Sequence, residues 1–324
     1  MSMGRLYLRI LIMFNRYLTF YKPAMQFVVF CAILSMCWLI GGFLVDLLHV
    51  KITGLDAKQI SELKQISPSL STPLKLLNGV LLILLLLLPA AIFSYLAYPN
   101  AFQYVGLIKP AKIKYWILSI AAIGLALPVS SLIEQACRHI SFFEKYKALD
   151  AVYNRMAEAM LQGNQPIDLI LNTLVICLLP AVVEEIFFRG CLQQLLLRWI
   201  RNPWLAIFIV AIIFSAFHGQ VSAFLPRLFL GFILGLVYYL NGSLYTTILM
   251  HFINNFITVW LVYFFHTGVI KTNINELPDV NMILGLLCTA LLIGVLFHLY
   301  KNRVEFQIYD MEKEEQIENL LQDE

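Results

Sequence analysis

Three groups of polar and ionisable residues interrupt apolar segments in the second half of this sequence. Their key members lie four residues apart, so each pair shares one face of a helix. The groups are Glu184-Glu185 with Arg189, Phe214 with His218, and His251 with Asn255. Ionisable side chains at membrane depth are costly and persist mainly where they face a cavity, a partner or a substrate path. We therefore expect the three faces to border one polar site.

The residue types in this set are those of a hydrolytic site. A buried carboxylate such as Glu184 can take a proton from water, and His218 can orient or share that water. His251 and Asn255 can donate hydrogen bonds to the oxyanion that develops when water attacks a carbonyl group. The four residues predict a catalytic centre that hydrolyses a carbonyl compound.

The same residues also permit metal chemistry. Glu184, His218 and His251 form a two-histidine, one-carboxylate set that could hold zinc or another divalent metal with one open position. No H-E-x-x-H motif occurs, so the ordinary zincin arrangement is absent. Arg189 follows Glu185 by one turn and is expected to pair with it and fix the carboxylates. The residues alone leave metal-dependent and metal-free mechanisms open.

Eight apolar segments are expected to position these residues, each taken as a crossing of a bilayer core of ~30 Å. Pro89, Pro128, Pro180 and Pro226 fall inside or at the edges of segments, which suggests a protein-lined cavity. The predicted fold is an all-α, polytopic membrane helix bundle. The segments are Met25–Leu48, Leu76–Tyr98, Trp116–Leu132, Ile167–Trp199, Trp204–His218, Phe224–Leu240, Ser243–Phe265 and Met282–Tyr300.

The depths of the polar residues along these segments can be counted. Glu184 and His218 each lie about 22 Å from the turn at Arg201-Asn202-Pro203, so they can meet at one depth. His251, counted from the start of its own segment, comes out roughly 10 Å shallower. A tilted helix or a deep turn at Asn241-Gly242 must close that gap.

Composition supports a membrane protein. Of 324 residues, 60% are hydrophobic and 13% charged, and the mean hydropathy is +0.78, whereas soluble domains carry about 45–50% apolar and about 25% charged residues. The net charge is only +3 and no dense basic run occurs. A nucleic-acid partner is therefore excluded from the prediction.

The chain divides into four predicted parts. Residues 1–166 form N-terminal membrane helices with an amphipathic loop helix near 142–160, which suits a membrane interface or the mouth of a cavity. Residues 167–265 form a catalytic membrane core, 266–300 the last membrane helix, and 301–324 an acidic, solvated tail. The apolar face of the loop helix consists of Phe142, Tyr146, Leu149, Tyr153, Met156 and Met160.

At these residues the sequence resembles the CPBP family of intramembrane proteases (CAAX protease and bacteriocin-processing, also called Abi). The family pattern is E-E-x-x-x-R, F-x-x-x-H and H-x-x-x-N on successive membrane helices. All three motifs are present here in order and without substitution. The resemblance covers roughly residues 167–265.

The resemblance implies a peptidase related to the endopeptidase that removes the last three residues of prenylated CAAX proteins. Glu184 would be the water-activating base, assisted by His218. His251 and Asn255 would stabilise the oxyanion, and the second glutamate and the arginine of the first motif would support the site. The family has been described both as metallopeptidases and as metal-independent glutamate peptidases, so metal dependence stays open.

The predicted function is therefore an intramembrane endopeptidase that acts, in contact with membrane lipid, on a membrane-bound protein or peptide. The predicted location is the inner membrane of a bacterium. Two alternatives from other classes remain. Intramembrane Glu, His and Arg on interrupted helices also occur in proton-coupled transporters. A non-catalytic immunity or scaffold protein would keep the fold without turnover.

Overall fold

The computed structural model of the chain describes residues 17–63, 65–98, 100–107, 110–272 and 279–304. Within these residues the regular elements are helices and no strand occurs, which confirms the predicted all-α fold. Residues 1–16 and residues 305–324 of the predicted acidic tail lie outside the described residues.

The helices of the described ranges follow one another with short connections. In chain order they are α1 (Pro23–Thr53), α2 (Ala57–Glu62), α3 (Pro68–Ala97), α4 (Ala101–Tyr104), α5 (Ile113–Arg138), α6 (Ser141–Glu144), α7 (Lys147–Leu161), α8 (Pro166–Ile200), α9 (Pro203–Phe217), α10 (Phe224–Asn241), α11 (Leu244–His266) and α12 (Met282–Lys301). Seven of them, α1, α3, α5, α8, α10, α11 and α12, are long and apolar enough to cross a membrane. The architecture is that of a multi-pass integral membrane protein.

Helix α9 corresponds to the remaining predicted segment, Trp204–His218, and is a shorter apolar helix than the other seven. It has 15 residues, which reach about 22 Å and fall short of a bilayer core of ~30 Å. Asn202 caps its first turn by accepting from the Leu205 N–H. The helix ends at Phe217 because the chain turns at Gly219, whose φ of 71° is in the left-handed region.

Helices α3 and α8 each contain wide, π-helical turns at their prolines. Pro89 follows a π turn over Ile83–Leu87, and Pro180 follows one over Thr173–Leu178. A proline has no N–H for the carbonyl four residues earlier, and a widened turn lets later N–H groups serve such carbonyls. A further π turn over Ile186–Gln193 contains no proline and follows the double glutamate directly. Such turns are frequent at functional sites.

Two apolar cores hold the bundle together around α8 to α11. One core packs α8 against α1, α3 and α9 through buried aromatic residues such as Phe30, Phe93 and Phe187. The other packs α10 against α5 and α12. Gly235 lets α10 lie close to α8, since a Cβ there would be 2.8 Å from Gln193 Oε1. The polar faces of α8 to α11 therefore meet inside the protein.

The segment predicted as an amphipathic loop helix contains α6 and the longer α7. Met156 and Met160 pack against a small core that includes Ile60 and Leu74. Toward the start of the segment the apolar side chains are exposed, with Phe142 at 54%. The segment is therefore anchored at one end and presents an apolar surface at the other.

Candidate active site

The first motif lies in the middle of α8, where the helix widens. Glu185 and Arg189 are fully buried, and Arg189 Nη1 donates to Glu185 Oε1 at 2.7 Å. Arg189 Nη2 donates to the Gly231 carbonyl on α10 at 3.1 Å. The pairing expected from the four-residue spacing is present. It joins α8 to α10 and leaves Glu185 Oε1 fixed.

Glu184 and Glu185 each have a buried Oε2 without a hydrogen-bond partner, and the two histidines of the site face that of Glu184. The Glu184 side chain is only 8% exposed. The imidazole Nε2 atoms of His218 and His251 lie 3.7 and 3.9 Å from this oxygen. Because a buried carboxylate oxygen without a partner is costly, Oε2 faces a position suited to a hydrogen-bonding reactant.

His218 is held by the end of α9. Its Nδ1 lies 2.8 Å from the Phe214 carbonyl oxygen, and a carbonyl can only accept, so Nδ1 carries a proton. In the neutral ring, Nε2 is then an acceptor that faces Glu184. The ring contacts Phe214 edge to face, with centroids 4.9 Å apart. The two members of the second motif therefore act together to orient the imidazole.

His251 is oriented by the first motif. Its Nδ1 lies 3.0 Å from Glu185 Oε1, and a carboxylate accepts this proton as the carbonyl does at His218. The Nε2 atom is thereby turned toward Glu184. A carboxylate that holds one ring nitrogen fixes the direction in which the other nitrogen points.

The depth difference expected for His251 is removed by a buried turn. Asn241 and Ser243 are 5% and 2% exposed, and Gly242 between them has a φ of 69°. Helix α11 thus starts well inside the protein, with Leu244 fully buried. The deep turn at Asn241-Gly242 that the counting required is present.

The arrangement offers acceptors to whatever occupies the site. With His218 neutral, its Nε2 lone pair and Glu184 Oε2 offer two acceptors, which suits the two O–H donors of water. Within the described parts of the chain, no group of three His, Cys, Asp or Glu side chains is placed to hold a metal ion. The predicted metal set of Glu184, His218 and His251 stays a prediction, with both Nε2 atoms within 3.9 Å of Glu184 Oε2.

Asn255 is the predicted residue that the structure does not bring into the group. It is partly buried one turn after His251 on α11. Among the described residues, its hydrogen-bond partner is Asn254, whose Nδ2 donates to Asn255 Oδ1 at 3.1 Å. The third motif therefore contributes its histidine to the cluster, while its asparagine is bonded to a neighbour in sequence.

Arg227 is a charged residue of the site that the sequence interpretation missed. It lies in the first turn of α10 and is close enough to interact electrostatically with both Glu184 and His218. Nη2 donates to Gln220 Oε1 at 2.7 Å, whereas Nη1 is buried and has no hydrogen-bond partner. An arginine inside an apolar segment is the signal that would have identified it.

The turn that follows His218 is tied to α7. Asp150, which is 5% exposed, accepts from the backbone N–H groups of Val221 and Ser222 at 2.8 and 2.9 Å. Burial would raise the pKa of the Asp150 carboxyl, but hydrogen bonds from Ser222 and Val221 outweigh it and lower that pKa below its ordinary value. The carboxylate thus locks the loop helix onto the site.

A cavity of about 430 Å³ lies beside the same turn. Its walls are almost entirely apolar and include Phe142, Phe143, Gly219, Phe224 and Leu225. It is also lined by Ser215 and Ala216, which precede His218 on α9, and by Gln220, which follows it. The cavity gives apolar groups a place to bind next to the polar cluster.

Residues 166–257 match a family model described as type II CAAX prenyl endopeptidase, Rce1-like. The matched segment runs from the start of α8 to the middle of α11 and contains all three motifs. This match confirms the predicted resemblance to the CAAX protease family over that segment. No curated protein and no solved structure gave a match to the chain.

Proposed function

We propose that the chain is an intramembrane endopeptidase that hydrolyses a peptide bond of a membrane-bound protein or peptide. The observation that carries the proposal is the buried, unpartnered Glu184 Oε2, which faces the Nε2 atoms of His218 and His251. The match of residues 166–257 to CAAX prenyl endopeptidases supports the reaction class. The surrounding lipid and the inner membrane of a bacterium are the proposed setting.

In the proposed reaction, water donates hydrogen bonds to Glu184 Oε2 and His218 Nε2. Glu184 takes a proton as the water oxygen bonds to the carbonyl carbon, and the π electron pair of the carbonyl moves to its oxygen. Collapse of this tetrahedral species re-forms the carbonyl and breaks the C–N bond. The proton on Glu184 passes to the leaving nitrogen, which restores the carboxylate.

The remaining predicted residues take supporting parts in this proposal. A protonated His251 donates from Nδ1 to Glu185 and from Nε2 to the developing oxyanion. Asn255 is the proposed second donor through its Nδ2 group, since its bond with Asn254 uses only Oδ1. Glu185 and Arg189 hold His251 in place through the buried ion pair. The part given to His251 follows from its Nε2 atom, which faces Glu184, whereas the part given to Asn255 follows from the family resemblance.

The test uses the full-length protein in detergent and an internally quenched peptide that ends in a farnesylated CAAX sequence. The same peptide without the farnesyl group reports whether the lipid is needed. Glu184→Gln and His218→Ala should each lower the cleavage rate by about 10²–10⁴-fold. Glu134→Gln and His139→Ala change exposed residues of the same types and should leave the rate unchanged. Cleavage that persists in Glu184→Gln would overturn the proposal.

The same assay with a strong chelator, together with metal analysis by mass spectrometry, addresses metal dependence. Activity kept in chelator supports the metal-free reaction described above. Activity lost in chelator, with about one bound metal per chain, would replace it with a metal-dependent one. No cleavage of either peptide by a folded wild type would favour a transporter or a scaffold.

A further inference from the structure

Arg227 belongs to no motif, yet hydrogen bonds hold it beside the candidate active site. Gln220 Oε1 accepts from Arg227 Nη2 at 2.7 Å, and Gln220 Nε2 donates to Asn154 Oδ1 on α7 at 2.7 Å. Asp150 fixes the intervening turn through two backbone N–H groups. The guanidinium is therefore positioned from two helices, α7 and α10.

One nitrogen of the Arg227 guanidinium has no hydrogen-bond acceptor. Nη1 is buried and has no hydrogen-bond partner, and the described ion pairs do not include Arg227. Its charge nevertheless acts on Glu184 and His218. A buried donor without an acceptor is costly. Arg227 Nη1 is such a donor, and Glu184 Oε2, with which Arg227 interacts electrostatically, is a buried acceptor without a donor.

We propose that Arg227 Nη1 binds the carbonyl oxygen of the scissile bond and stabilises the oxyanion that forms there. This inference rests on the proposed peptidase function. Water donates a hydrogen bond to Glu184 Oε2, and the substrate carbonyl oxygen accepts one from Arg227 Nη1. When water attacks, its proton goes to Glu184 and the carbonyl π electron pair goes to the oxygen facing Arg227. Arg227 is thus a further catalytic residue.

Charge favours an oxyanion over a permanent carboxylate as the group that Arg227 binds. A carboxylate at Nη1 would bring a fixed negative charge close to Glu184 and Asp150, which both interact with Arg227. Like charges at short range are unfavourable. The oxyanion instead forms as Glu184 gains a proton, so the total charge of the site does not change. The preorganised donor then acts mainly in the transition state.

Steady-state kinetics on the quenched peptide test the role. Arg227→Gln should lower kcat by about 10²–10³-fold with KM little changed, as for loss of an oxyanion donor. Arg227→Lys should recover part of the rate. Arg198→Gln is the matched control, because Arg198 Nη2 also donates to a glutamine oxygen, Gln26 Oε1, and its Nε is also buried without a partner. Arg198 lies in the last turn of α8, and the substitution Arg198→Gln should leave kcat unchanged.

A binding measurement keeps the test independent of turnover and of poor folding. The probe is the farnesylated peptide with a phosphinate, a charged tetrahedral mimic, in place of the peptide bond after the cysteine. Wild type should bind this phosphinate more tightly than the parent peptide. Arg227→Gln should lose about 10²-fold of that preference, whereas Arg198→Gln and Arg227→Lys, checked as monodisperse by gel filtration, should retain most of it.

The outcomes separate the inference from the proposed function. An active wild type, an inactive Glu184→Gln and an unchanged Arg227→Gln would overturn only the role of Arg227. A higher KM with unchanged kcat in Arg227→Gln would overturn it in favour of ground-state binding, for example of a substrate carboxylate. A folded wild type that neither cleaves the peptide nor prefers the phosphinate would overturn both proposals.

Discussion

Helix α8 carries buried polar side chains in two regions, and their partners differ. In the region that follows the active site, Gln193 Nε2 donates to the Gly235 carbonyl at 2.9 Å, and Gln194 Nε2 donates to the Tyr238 hydroxyl at 2.8 Å. Arg198 donates to Gln26 Oε1 on α1. These bonds use neutral acceptors and connect α8 to the neighbouring helices.

In the region of the site, the polar groups are a carboxylate pair, an arginine and two imidazoles. Glu185 Oε1 binds Arg189 and His251. The Oε2 atoms of Glu184 and Glu185 are both buried without a hydrogen-bond partner, and the Nε2 atoms of His218 and His251 face that of Glu184. The two regions are similarly buried, so burial of polar groups does not distinguish them. The site differs because it contains a titratable acceptor, Glu184 Oε2, that faces the Nε2 atoms of His218 and His251 without a hydrogen bond to either. This difference is the physical basis for placing the chemistry there.

The largest stability effect should come from the ion pair of the site. Glu185→Gln leaves Arg189 as a buried, unpaired charge and should lower the free energy of unfolding by about 3–5 kcal/mol. Denaturant titration in detergent, followed by tryptophan fluorescence, measures it. Glu134→Gln, at an exposed ion pair, is the control and should change little. Equal effects of the two variants would remove the proposed structural role of Glu185.

The Asp150 carboxylate should make the site end of the molecule sensitive to acid. Because its folded-state pKa is lowered, its stabilisation is present above the ordinary carboxyl pKa of about 3.9 and is lost as pH falls through the lower folded value. Asp150→Asn should cost about 1.5–3 kcal/mol at neutral pH, where charged hydrogen bonds are lost.

Unfolding curves of wild type and Asp150→Asn from pH 7 down to pH 3 check this prediction. The difference between the two stabilities should become smaller toward the acid end of the range. A constant difference between the proteins would show that the charge of Asp150 contributes nothing. Asp279→Asn, which removes an exposed carboxylate that accepts from Arg138, is the control and should track wild type.

The membrane helices were predictable because hydropathy reports burial in lipid directly. The all-α fold was confirmed, and the eight predicted segments correspond to seven long helices and to α9, whose 15 residues are apolar but short. Its length depends on Gly219 and on the packing of the following turn, which hydropathy does not report. The wide turns of α8 also could not be located, since the π turn at Ile186–Gln193 contains no proline to signal it.

Within the site, spacing within one helix was more informative than geometry between helices. The Glu185–Arg189 and Phe214–His218 contacts follow from a spacing of four residues. His251 contacts Glu185 because the chain turns inside the protein at Gly242. Counting residues along the segments showed that such a turn was needed but could not show that it exists. Arg227 was missed because it stands alone, without a partner at helical spacing.

The smallest effect should come from the second polar region of α8. Gln194→Leu removes a donor to the Tyr238 hydroxyl, which retains a contact with the Val105 carbonyl at 3.4 Å. The free energy of unfolding should therefore fall by only about 0.5–1.5 kcal/mol. The cleavage rate should not change, because no atom of Gln194 bonds to the Glu184 cluster in the described residues. Parallel unfolding and cleavage assays measure both quantities. A rate that falls as far as in Glu184→Gln would mean that the two regions of α8 work as one unit, and the distinction between a connecting region and a reactive region would fail.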